Sequence, residues 1–178
     1  MTTDTSNDKV KFLRSLRAVR EYTPEAVSED VIKEILEVGR WAGSSSNTQP
    51  TEVVVVRDRK TLELMGSNGA APAAKCAVAF LILTAGNPER RESEAFDNGR
   101  LVERLLLACK AHGLGANIAT LKNDGPELVR ATLGIPPEKK VWTVVTAGHI
   151  DWEARKARPA NPNAGRKDAS TFAHWEKY

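Results

Sequence analysis

Two kinds of hydrophobic pattern alternate along the chain. Residues 53–56, 77–83, 116–120 and 142–147 are short, nearly continuous apolar runs. Runs of that length read as strands covered on both faces, and the valines at 53–56 are expected in the middle of a sheet. Between the runs, apolar residues recur every three or four positions. Val10, Leu13 and Leu16 begin a short helix. Ile32, Ile35, Leu36 and Gly39 mark one face of a second helix. Ser28 is its N-cap, and Glu29 and Asp30 favour its first turn. Residues 61–65 and 127–133 predict two more short helices, the second stopped by Gly134-Ile135-Pro136-Pro137. The strongest helical pattern covers residues 97–112. There Leu101, Val102, Leu105, Leu106, Ala108 and Cys109 spread over more than one face. Such a helix is buried on two sides, against either a second core layer or a partner subunit.

The order of elements predicts an α+β or α/β domain with a central sheet. Residues 1–9 are polar and predict a disordered N-terminal tail. Residues 10–178 form a single domain, with no internal repeat and no dividing linker. Residues 86–94 read as a mobile connection, and the chain from Asp151 onward as loop, with residues 170–178 a terminal turn or arm.

One polar stretch stands out against this pattern. Gly43-Ser44-Ser45-Ser46-Asn47-Thr48-Gln49-Pro50 joins a helix to the valine strand and gathers small donors. Ser, Asn and Gly also dominate ordinary turns for local reasons. The stretch is therefore either a capped turn or a loop that lies against a large polar ligand.

Composition narrows the function. The chain is 178 residues long, 41% hydrophobic and 28% charged, which suits one soluble domain. The net charge of +3 and the 6% aromatic content do not fit a nucleic-acid surface. The basic excess is local: Arg155, Lys156, Arg158, Arg166 and Lys167 face only Asp151 and Glu153 over residues 151–167. That segment is either an anion site or a solvated tail. Cys76 and Cys109 lie in apolar runs and read as buried thiols, so a reducing, cytoplasmic compartment is expected. No run is long enough to span a membrane. No P-loop, nucleophile elbow or dinucleotide-binding glycine pattern is present, and Cys109 with His112 lacks further metal ligands. Many donors and cations without a marked nucleophile suit a site where a bound cofactor carries the chemistry.

The motifs, taken in order, resemble those of the nitroreductase family of FMN-dependent oxidoreductases. They are Arg17-Ala18-Val19-Arg20-Glu21-Tyr22, the stretch at 43–50, Gly113-Leu114-Gly115, Leu133-Gly134-Ile135-Pro136 and Gly165-Arg166-Lys167. The resemblance covers nearly the whole chain from Phe12. It implies an α+β fold with a central mixed sheet flanked by helices, built as an intertwined homodimer. It also implies FMN at the subunit interface, NADH or NADPH as reductant, and a small nitroaromatic or quinone acceptor reduced in a ping-pong scheme. Carried over by position, Arg17, Ala18 and Arg20 hold the flavin. Ser44, Ser45, Ser46, Asn47 and Gln49 approach it from the second subunit. Asn68 is a polar flavin contact, and Arg166 with Lys167 binds the phosphate. No protein acid or base is implied.

Several positions depart from the family pattern. Leu16 and Ala18 stand where it has Arg and Ser, Gly43 where it has Pro, and Thr51 where an aromatic follows. The Arg155–Arg158 cluster competes with Arg166 for the phosphate, and residues 121–125, expected over a flavin face, match no motif. Two rivals remain: a flavoprotein of this fold with a specialised reaction such as dehalogenation, dehydrogenation or flavin consumption, and a non-catalytic module that binds FMN or another phosphate ligand.

Overall fold

The computed structural model describes residues 5–159, 161 and 164–178, with Thr5 and Ser6 described by backbone alone. The elements are α1 (Thr5–Arg14), α2 (Glu29–Arg40), β1 (Glu52–Val56), α3 (Arg59–Ser67), β2 (Val78–Thr84), α4 (Arg91–Ala111), β3 (Gly115–Thr120), α5 (Gly125–Leu133), β4 (Lys140–Gly148) and α6 (Trp152–Ala157). The four strands form one sheet in the order β1-β2-β4-β3.

Strand alternation sends side chains to two cores. Phe80, Ile82 and Val145 pack with Ile32 and Ile35 of α2 and with Leu101 and Leu105 of α4. Leu81, Leu83 and Val144 pack on the other face with Leu62 and Met65 of α3 and Val129 of α5. Every residue of β2 is buried. This is the helix-flanked α+β architecture expected from the sequence.

Four local expectations are corrected. The sheet is antiparallel at each pairing rather than mixed, because the chain reverses direction between every two neighbours. The valine strand is an edge strand rather than a central one. Its run is apolar because Val54 faces one core while Val53 and Val55 face the other; of its valines only Val56 is fully buried. The segment 86–94 is built into the fold. The carboxylate of Glu94, itself buried, accepts the Gly86 and Asn87 N–H groups at 3.0 and 3.1 Å. With Glu92 it favours the helix N-terminus, so α4 starts at Arg91 and runs for 21 residues. Finally, α6 occupies part of the segment expected to be loop, capped by the Asp151 carboxylate on Ala154 N–H.

At the N-terminus, α1 begins at Thr5, inside the segment expected as a tail; the start of that tail lies outside the described residues. Its Val10 and Leu13 are exposed. Ser28 caps α2 as expected, accepting from Val31 N–H. Among the described residues, no helix is long and apolar enough to cross a membrane.

Candidate functional site

The opening motif is strapped across the ends of β3 and β4. Val19 N–H donates to Ala116 O at 2.8 Å, and Tyr22 forms an isolated bridge with Ile150. The Tyr22 hydroxyl donates to Val19 O at 2.6 Å and pairs with the Thr146 hydroxyl at 2.9 Å. Burial raises the Tyr22 pKa well above the usual phenol value, so the group stays a donor. Val19 and Tyr22 point inward and are buried, which leaves Arg17, Ala18 and Arg20 on the surface.

These exposed residues meet a cluster of cations. Arg155 of α6 donates to Ala18 O at 3.2 Å and reaches Glu21 at 3.4 Å. Arg158 reaches the other oxygen of Glu21 at 3.3 Å. Lys110, at the end of α4, donates to Ser15 O. Arg17 is held by the Arg14 and Leu16 carbonyls at 2.8 and 2.7 Å. Among the described residues the Arg20 guanidinium has no ion-pair partner. One acid, Glu21, thus pairs with two arginines.

Asn68 lies at the far end of β3. Its side-chain amide donates to Leu64 O and caps α3, while its carbonyl accepts Lys122 N–H at 2.8 Å. Gly125 packs against it; a Cβ there would lie 2.7 Å from Asn68 Cβ. Asn68 therefore anchors residues 122–125, where Asn123 takes a left-handed φ of 52°.

The stretch at 43–50 is fixed by a different contact. The Asp97 carboxylate accepts Ser45 N–H at both oxygens, and Ser44 Oγ accepts Gln49 N–H at 2.8 Å. Ser46, Asn47 and Gln49 all have positive φ, and the side chains from Ser45 to Gln49 are exposed. A small cavity of about 200 Å³ lies beneath, between α2 and α4.

The structure joins some of the expected site residues and separates others. Arg155 meets Ala18 O, and Arg155 and Arg158 meet Glu21, within the opening motif that also holds Arg17 and Arg20. The loop does not join them: its anchor Asp97 and the arginine-end Lys110 are 13 residues apart in α4, roughly 20 Å along a helix. Arg166 donates only to its own Gly165 O, and Lys167 is exposed; among the described residues neither touches the opening motif. Cys109 is buried, and His112 pairs with Glu34 at 3.2 Å. Asp97 and Lys122 were missed. Asp97 had a legible signal, since it shares the stripe of Leu101, Leu105 and Ala108 and is an acid on a buried face. Lys122 had none, because its backbone makes the contact.

Comparison with known proteins places the chain in a family. The nitroreductase family pattern matches residues 13–80, which hold the opening motif, the loop and Asn68. A Thermus thermophilus protein named NADH dehydrogenase is 30% identical over 171 residues, covering 75% of this chain and 82% of that one. The chain belongs to the nitroreductase family. Another relative, the NADPH-flavin oxidoreductase of Vibrio harveyi, is 27% identical over 161 residues, covering 82% of this chain and 67% of its own. The fold is shared with a Desulfovibrio desulfuricans structure solved with FMN, at a TM-score of 0.75 and 23% identity, over 95% of this chain and 96% of that one. In this nitroreductase-family chain the match covers both the arginine segment and the loop, although they lie at opposite ends of α4.

Proposed function

We propose that the chain is an FMN-dependent oxidoreductase that takes electrons from NADH or NADPH and passes them to small electron-poor acceptors of nitroaromatic or quinone type, in two successive half-reactions at one site. The observation that carries this is the pairing of Arg155 and Arg158 with a single acid, Glu21, next in sequence to the exposed Arg17 and Arg20 of the opening motif. The names of the Vibrio relative and of the FMN-bound neighbour support the cofactor.

The residues fit the cofactor. A phosphate dianion matches planar, paired arginine donors. Arg155 is held in place by Ala18 O and Glu21, which reduces the ordering cost of binding. FMN, when bound, supplies the two-electron redox chemistry. Arg20, without an ion-pair partner among the described residues, would stabilise negative charge that grows on a bound flavin during reduction. Ser44, Ser45 and Asn47 offer small donors, but the length of α4 keeps them from the arginines of their own chain. A homodimer, with the loop of one copy serving the arginines of the other, resolves that separation. The exposed Val10 and Leu13 of α1 give such a dimer apolar surface to bury. A reducing cytoplasm suits the two buried free thiols.

The test is a visible spectrum of the purified protein. Flavin bands, present as isolated or after adding FMN, should bleach anaerobically with NADH or NADPH and return with a nitroaromatic or quinone. No bands under either condition overturns the reading. Bands that neither nucleotide bleaches would leave a binding module.

A further inference from the structure

The segment from Val19 to Tyr22 lies across β3 and β4 on two glycines. A Cβ on Gly115 would lie 2.5 Å from Val19 Cγ1, and one on Gly148 would lie 3.2 Å from Tyr22 Cδ1. A glycine in a strand lets a second stretch of chain approach closely, and Gly115 does so beneath Val19. Val19 and Tyr22 are buried, while Arg20 between them is exposed.

The peptide that joins Val19 to Arg20 is held at both of its polar atoms. Its carbonyl, Val19 O, accepts the Tyr22 hydroxyl at 2.6 Å. The Tyr22 oxygen lies 2.9 Å from the Thr146 hydroxyl of β4, which can donate to it. The N–H of the same peptide, that of Arg20, donates to Glu21 Oε2 at 3.2 Å. That oxygen also accepts from Arg155 at 3.4 Å, and Glu21 Oε1 accepts from Arg158 at 3.3 Å. One peptide plane is therefore tied to β4 through its carbonyl and to α6 through its N–H.

A peptide unit is planar and rigid, so holding its two polar atoms fixes the position of the Arg20 Cα. On the far side of that Cα, Glu21 O accepts Asp151 N–H at 3.1 Å, and Tyr22 bridges to Ile150. The guanidinium is exposed and has no ion-pair partner among the described residues. The root of Arg20 is thus ordered and its tip is open. Burial of Tyr22 needs only its ring, whereas the tie to Val19 O needs the hydroxyl.

We propose that the Tyr22 hydroxyl is a positioning group for Arg20, holding its backbone so that the guanidinium meets the flavin edge on which negative charge grows during reduction. This role rests on the FMN chemistry proposed above. A cation already in place stabilises developing charge without reorganising as the charge appears. Loss of the hydroxyl lets the segment shift, and the reduced cofactor, with its extra negative charge, loses more than the oxidised one.

Tyr22→Phe removes the hydroxyl and keeps the ring. Affinities for oxidised FMN and for dithionite-reduced FMN, measured anaerobically by calorimetry, supply the readout. The ratio of reduced to oxidised affinity should fall about five-fold, within the worth of one hydrogen bond. That fall lowers the two-electron potential by about 20 mV. In an Arg20→Gln background, Tyr22→Phe should change the ratio no further. Ile82→Val, in the core on the other face of the sheet, loses a comparable amount of stability and should leave the ratio unchanged. Without flavin, hydrogen exchange at the Val19 and Arg20 amides should quicken in Tyr22→Phe by more than its loss of global stability explains. Wild-type protein that takes up neither form of FMN overturns the flavin reading and this role with it. FMN uptake with an unchanged ratio in Tyr22→Phe, or an equal fall in the Arg20→Gln background, overturns the role alone.

Discussion

Asp97 accepts the Ser45 backbone N–H at both carboxylate oxygens, at 3.2 and 3.1 Å, across 52 residues of sequence. Asp97 is only 5% exposed, so these charge-assisted bonds operate away from water. They hold a loop with left-handed Ser46, Asn47 and Gln49; such non-glycine conformations cost roughly 1–2 kcal/mol each. The buried carboxylate offsets part of that strain.

Asp97→Ala should therefore release the loop at a cost of about 1–3 kcal/mol in stability. Limited proteolysis should gain cut sites at residues 43–50, and FMN affinity should fall. Asp97→Asn, which keeps one acceptor, should fall between. Unchanged protease protection in Asp97→Ala would show that the contact does not hold the loop.

The separation along α4 leads to a complementation test. Arg20→Ala should lose flavin at the arginines of its own chain, and Ser45→Ala at those of its partner. Mixing the two variants should restore about one intact site in each mixed dimer. If refolded mixtures never regain flavin absorbance, the shared site is wrong.

The two cysteines predict a pH dependence. Burial pushes the Cys109 thiol up to about 12 and that of Cys76 up to about 11. In the unfolded chain a thiol titrates near ~8.5. The native state keeps protons that the unfolded chain loses, so this stability is present below ~8.5 and is lost as pH rises towards the native values. The denaturant midpoint should drop between about pH 9 and 11, and Cys109→Ala with Cys76→Ala should flatten that drop. Native protein at pH 8 should not react with a thiol reagent, whereas denatured protein should expose both thiols.

Two glycines should respond differently to alanine. A Cβ on Gly43 would lie 2.1 Å from Arg100 Nη2, the mobile end of an exposed side chain. Gly43→Ala should displace Arg100 and change stability by no more than about 0.5 kcal/mol. A Cβ on Gly125 would lie 2.7 Å from Asn68 Cβ and 2.9 Å from Asn68 O. Backbone cannot yield as a side-chain tip does, so Gly125→Ala should cost about 1–3 kcal/mol. Thermal melts of the two variants compare them directly, and equal melting temperatures would contradict the packing.

Much of the fold was legible because burial is written into residue periodicity. The Ser28 cap, the two-faced pattern of α4 and the buried run of β2 each follow from local spacing. The valine run shows the limit: continuous apolar character reports two covered faces and is silent on whether an edge is paired. The start of α4 was hidden for another reason. Glu92 and Glu94 look solvated in a polar segment, and only the turn at Gly86 and Asn87 gives Glu94 a reason to be buried.

The sequence by itself determined most of the element types, the apolar faces of the helices and the family motifs. All of these depend on neighbours within a few residues. The tertiary structure decided which distant groups meet. It set Arg155 and Arg158 beside Ala18 and Glu21 while leaving Arg166 apart, tied Ser45 to Asp97, and put the length of α4 between that loop and the arginines. Hydrogen bonds and ion pairs form through space, and chain order fixes their partners only after the sheet and helices have packed.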